Sequence, residues 1–119
     1  MKGAAAIRII SELGLDRLVY LDPDIGVFDS LAPISDMLDE NSVLFTPHST
    51  APASTPRGIV DDELCALKYG VYNFGFMAVK SDADGMRFLR WWNDRLMGYC
   101  YDDIPNGMFT DQKWGDIAP

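Results

Sequence analysis

The sequence predicts an α/β fold, and two observations carry that expectation. Short apolar runs rich in Val, Leu, Tyr and Phe alternate with longer stretches whose apolar residues recur at helical spacing. Hydrophobic residues make up 48% of the chain and charged residues 24%, the balance of a chain that buries a core and does not stay disordered. At 119 residues the chain is read as one domain.

Each element has its own signal. Residues 2–13 predict a helix, because Ala4, Ala5, Ala6, Ile7, Ile10 and Leu13 form an apolar stripe that Gly14 closes. A strand is expected over 15–21 and a second short one over 25–28. Ser30 suits an N-cap and Pro33 a first turn. The helix they open would run to about residue 38 and bury Leu31, Ile34, Met37 and Leu38. Residues 43–46 read as another strand. The stretch 47–58 reads as a loop, punctuated by Pro47, Pro52, Pro56 and Gly58 and carrying His48 and Arg57. Asp61 or Asp62 would then cap a short helix that ends at Tyr69-Gly70. Residues 71–79 predict a strand, or two pieces joined at Gly75. The longest helix would start at Ser81 or Asp82 and reach about Tyr99. Gly85, Leu89, Trp92 and Leu96 line its buried face, so Trp91-Trp92 reads as packing. A loop over 99–107 and a short final helix near Thr110, including Lys113 and Trp114, complete the chain.

The net charge of −8 disfavours nucleic acid and anionic membrane as partners, since both select basic surface. An anionic substrate such as a diphosphate would need a cation to help it bind. Cys65 and Cys100 lack metal-ligand spacing and are expected as reduced thiols in a cytoplasmic protein. No signal peptide is evident, and no apolar run is long enough for a transmembrane segment. There is no internal repeat.

Three clusters bear chemistry. The first is Asp22-Pro23-Asp24, where an apolar run ends in two carboxylates. On an extended chain both would point the same way, and a hard divalent cation such as Mn²⁺ or Mg²⁺ would relieve their repulsion. The same residues also suit a strand end followed by a Pro-Asp turn with solvated acids. The second cluster is Asn73-Phe74-Gly75-Phe76, where an amide and a glycine interrupt an apolar strand. It marks either a ligand's close approach or a β-bulge. The third is Thr110-Asp111-Gln112, otherwise an ordinary acidic first turn of a helix.

Taken in order, Asp22-Pro23-Asp24, Asn73-Phe74-Gly75 and Asp111-Gln112 resemble the nucleotide-sugar glycosyltransferases with a GT-A fold, most nearly family 8-like retaining enzymes. The resemblance spans about 18–114. It implies a mixed sheet flanked by helices, and metal-dependent transfer of a sugar from a nucleotide-diphosphate donor, a UDP-sugar foremost, to a sugar or lipid-linked acceptor. It implies Asp22 and Asp24 as ligands of Mn²⁺ or Mg²⁺, with Asp22 also on the donor ribose. Asn73 and Gly75 would lie near the acceptor or the transferred sugar. Asp111 and Gln112 would be the catalytic residues, Asp111 on donor-sugar hydroxyls and Gln112 beside the anomeric carbon. His48, the chain's one histidine, could sit near donor or acceptor, or be an ordinary exposed loop residue. The family also carries nucleoside-binding units before its metal-binding strand and a late histidine, so the chain is expected to be a partial or shortened catalytic domain. If so, it should show an exposed sheet edge or an uncovered apolar face.

Two alternatives come from other classes. A haloacid dehalogenase-type phosphohydrolase would use Asp22 as nucleophile and Asp24 as acid/base, with Phe45-Thr46 imitating its second motif. An inactive fragment or binding module would keep the carboxylates without turnover.

Overall fold

A computed structural model describes residues 2–119. Its elements run α1 (Lys2–Leu13), β1 (Arg17–Leu21), α2 (Ala32–Glu40), β2 (Val43–Pro47), α3 (Pro56–Gly58), a π-helical segment (Ile59–Leu64), α4 (Cys65–Tyr69), β3 (Tyr72–Lys80), α5 (Ala83–Tyr99), β4 (Asp102–Asp103), a 3₁₀ turn (Ile104–Asn106), β5 (Met108–Phe109) and a last 3₁₀ segment (Lys113–Ile117). The fold is α/β. The sheet is not mixed, however. β3 is its centre, and β1 and β2 flank it, each antiparallel to it. Both flanking strands are therefore edges. β4 and β5 form a separate small ribbon.

The core lies on one face of this sheet. Phe74, Met77 and Val79 of β3 pack against Phe88, Leu89, Trp92 and Leu96 of α5 and against Ala6 and Ile10 of α1. The anticipated face of α5 is buried as the spacing requires, with Phe88 added. Asp82 caps α5 by accepting from Gly85 N at 2.9 Å. Gly3 lets α1 approach α5 closely, because a Cβ there would sit 3.0 Å from Asn93 Cβ. α2 packs on β3 as well, with Leu38 fully buried. Leu31 and Met37, expected inside, are 38% and 55% exposed: Leu31 precedes the first turn of α2, and the nine-residue helix turns only part of its apolar stripe inward.

Strict alternation fails once along β3. Phe45 pairs with Met77, but Thr46 pairs with Asn73, so residues 74–76 form a bulge opposite β2. The bulge turns Phe74 into the core beside Phe45 and Trp92, at ring separations of 4.9 and 5.2 Å.

Several local expectations need correction, and of the two readings offered for Asp22-Pro23-Asp24 the turn is the one observed. Residues 25–28 are not a strand. They find no pairing partner, and Phe28 is 99% exposed. Pro23-Asp24 is a turn, closed by Ile25 N donating to Asp22 O at 3.0 Å, since proline favours the second position of a turn. The 47–58 loop is shorter than expected, and neither Asp61 nor Asp62 is the cap. Thr55 is, accepting from Gly58 N, with Pro56 opening the helix. The third cluster precedes a 3₁₀ segment at Lys113–Ile117 in place of the expected helix start at Thr110.

Candidate functional site

The site forms where β1 ends. The backbone N–H of Asp22 donates to Gly75 O at 2.8 Å, extending the β1–β3 ladder by one residue. Tyr20 lies two residues earlier, so its side chain shares the face of Asp22. Its hydroxyl donates to Asp22 Oδ1. α1 then brings Lys2 across the end of the strands. Its ammonium lies 3.3 Å from Asp22 Oδ1 and 3.0 Å from Asp111 Oδ2. It donates to Phe74 O at 3.1 Å and stands 5.1 Å above the Tyr20 ring.

Each partner is held from behind. Trp92 Nε1 donates to Asp111 O at 3.1 Å, so the core fixes the backbone of that residue. The residue before it, Thr110, has φ +45°, a left-handed conformation that a β-branched residue adopts only under constraint. Asn73 Oδ1 accepts from Gly75 N at 2.8 Å. A Cβ on Gly75 would meet Asn73 Oδ1 at 2.9 Å and Asp22 Oδ2 at 3.3 Å, so glycine keeps the space between the two side chains open.

The electrostatics follow from these contacts. The Tyr20 hydrogen bond, helped by the Lys2 charge, outweighs burial and holds the Asp22 carboxyl below its ordinary range. Burial works against the Lys2 charge. The hydrogen bond and charge of Asp111, with Tyr20 and Asp22, overcome it and raise the Lys2 ammonium. Burial and the bond to Asp22 raise the Tyr20 phenol.

Three clusters of the sequence thus meet: Asp22, Asn73 with Gly75, and Asp111. Asp24 does not join them. It is exposed in its turn and makes no ion pair or side-chain hydrogen bond among the described residues. Gln112 and His48 lie elsewhere, in the lining of a cavity of about 370 Å³ shared with Asp61, Asp62, Tyr69 and Phe109. Gln112 Nε2 donates to Tyr69 O at 3.1 Å, and a Cβ on Gly70, where φ is +122°, would lie 3.1 Å from Gln112 Cγ. Lys2 and Tyr20 are the partners that sequence reasoning missed. Tyr20 had a signal, its i, i+2 spacing to Asp22. Lys2 had none, since only the docking of α1 brings it there.

Among the described residues no group of three or more His, Cys, Asp or Glu side chains is placed to hold a metal ion. Asp22 and Asp24 by themselves fit a Mg²⁺- or Mn²⁺-type site only where substrate phosphates and water complete the coordination. No helix among the described residues is long and apolar enough to cross a membrane. Cys65 and Cys100 are both free and exposed.

Comparison with known proteins gives one similarity. The chain is 29% identical over 102 residues to the Uncharacterized protein YfnF of Bacillus subtilis (strain 168), a match covering 86% of this chain and 33% of that protein. The chain thus spans about a third of the length of the curated relative it matches. No model of a known protein family matches the chain, and no solved structure matches it.

Proposed function

We propose that the chain is the donor-binding part of a metal-assisted glycosyltransferase acting on a nucleotide-diphosphate sugar, of GT-A type. One observation carries this. Residues 22, 73–75 and 111, far apart in sequence, converge at one sheet end, and each belongs to one of the three motifs of the resemblance, whereas Asp24 and Gln112 of the same motifs stay outside the cluster. Asp24 and the free Oδ2 of Asp22 would hold the metal, which would neutralise the diphosphate as it leaves. Lys2 is shared between Asp22 and Asp111 and orients both carboxylates, so the diphosphate charge would be met by the metal. Tyr20 keeps Asp22 ionised and oriented. Asp111, pinned by Trp92, would accept hydrogen bonds from donor-sugar hydroxyls, and its charge would steady positive character at the sugar ring.

Calorimetric titration of UDP with and without Mn²⁺, into the wild type and Asp24→Ala, tests this. The expected result is binding that needs Mn²⁺ and is lost in the variant. Absence of UDP binding under every condition would sink the donor site.

Lys2 beside Asp22 also gives the phosphohydrolase reading a feature it needs, a cation next to the nucleophile. An aspartyl-phosphate trapped at Asp22 would favour it, because the transferase forms no such intermediate.

A further inference from the structure

The cavity beside Gln112 has no role in donor binding as described above. It is about 370 Å³, within the size range of small-molecule sites. Its lining mixes an aromatic pair, Tyr69 and Phe109, with an amide, an imidazole and two carboxylates. The aromatic rings pack edge to face with centroids 4.9 Å apart. Gln112 Nε2 donates one hydrogen bond to Tyr69 O, which anchors the amide in the lining.

The lining carries two carboxylates and neither lysine nor arginine. Asp61 is paired with Arg57 at 3.0 Å. Lys68 lies over the Tyr69 ring at 4.7 Å. Asp62 makes no ion pair among the described residues and is the carboxylate left to accept hydrogen bonds. Asp61 and Asp62 lie on the π-helical segment Ile59–Leu64. Such segments change the rotation of a helix and recur at functional sites.

We infer that this cavity binds a neutral, hydroxyl-rich ring: the sugar acceptor of the proposed transfer, so this inference rests on that reading. Carboxylate and amide oxygens accept from hydroxyls, and the aromatic pair covers the apolar C–H surface of a sugar. An anion would meet Asp62 without a compensating cation. A purely apolar ligand would strand the polar groups of the lining. A lipid-linked diphosphate acceptor would therefore seat only its sugar here.

The test is a titration of the whole chain, without nucleotide or metal, followed by amide chemical shifts. The probes are methyl glycosides of glucose, galactose and N-acetylglucosamine, their disaccharides, and glucose 6-phosphate. A neutral glycoside should give saturable shifts at Gln112 and Tyr69. Asp62→Asn, an exposed substitution that leaves the fold spectrum intact, should weaken binding at least five-fold. Glucose 6-phosphate should bind at least ten-fold more weakly than the best neutral probe. No saturable binding across the panel, equal binding by Asp62→Asn, or preference for the phosphate would each overturn the inference. UDP titration of the same samples separates the two proposals. Glycoside binding without UDP binding would leave a sugar-binding cavity and remove the donor site, and UDP binding alone would do the reverse.

Discussion

Lys2→Met isolates the charge at the centre of the site. Methionine keeps much of the lysine stem's packing and removes only the ammonium. The lost contacts are two ion pairs, at 3.3 Å to Asp22 and 3.0 Å to Asp111, a hydrogen bond to Phe74 O and the approach to the Tyr20 ring. At 3.0 Å the Coulomb attraction is about 1.4 kcal/mol at the dielectric constant of water and about 5.5 kcal/mol at an effective value of 20. The side chains are 26%, 33% and 20% exposed for Lys2, Asp22 and Asp111, so solvent screens the pairs, and desolvation of the ammonium offsets part of the gain. A net loss of about 1–2 kcal/mol is expected, a fall in Tm of roughly 4–8 °C for a chain of this size. The pH dependence has a definite sign. Asp22 has a folded pKa below its ordinary 3.8, so its contribution is present above that value and is lost as pH falls through the lowered one. Lys2 has a folded pKa above its ordinary 10.5, so its contribution is full below that value and is lost as pH rises through the raised one. Thermal unfolding of both proteins, followed by circular dichroism from about pH 3 to pH 11, should show a gap that is widest near neutrality and begins to narrow below the ordinary Asp22 pKa and above the ordinary Lys2 pKa. A variant as stable as the wild type at neutral pH, or a gap independent of pH, would refute the assignment of Lys2 as the counter-charge of the two carboxylates.

Other perturbations probe the scaffold and the site. Gly85→Ala would drive a methyl into the Lys80 carbonyl, and α5 would have to lift off the sheet; a loss of about 1–3 kcal/mol or more is expected in urea unfolding. Asp82→Ala removes the cap of α5 and should cost about 1 kcal/mol in the same assay. Gly75→Ala places a methyl between Asn73 and Asp22, so the fold should persist while UDP affinity falls at least ten-fold by calorimetry; unchanged affinity would place the nucleotide elsewhere. Gly3→Ala pushes α1 from Asn93 and should reproduce the Lys2→Met loss of stability in part, through displacement of the same ammonium.

Local signals reached far in this chain where the pattern was periodic. The face of α5 and the strands over 17–21 and 72–80 were readable to within a residue or two because burial on one side repeats at a fixed interval, whereas of the stripe expected on α1 only Ala6 and Ile10 are buried and Ala4, Ala5 and Leu13 are exposed. Residues 25–28 were misread because apolar character does not make a strand without a partner, and the turn at Pro23 carries them away from the sheet. The start of the helical stretch at Pro56 was misplaced because proline was weighed as a loop signal, although Thr55-Pro56 is also a cap followed by a favourable first residue. The carboxylates of the site could be listed from sequence. Their counter-charge could not, since the link from Lys2 to Phe74 joins residues 72 positions apart.

That separation bears on the order of events in folding. Lys2 and Asp111 are separated by most of the described residues, and their ion pair requires α1 docked on α5 and the segment after α5 held by Trp92. Closing such long loops costs entropy that only the assembled core offsets. While the chain is still being synthesised, the Asp22 carboxylate has Tyr20 beside it but no Asp111 and no packed helix to hold Lys2 in place. The Lys2 pairing at the polar end of the sheet therefore depends on long-range docking, and a variant that loosens α1 should weaken that pairing while the β1–β3 ladder persists.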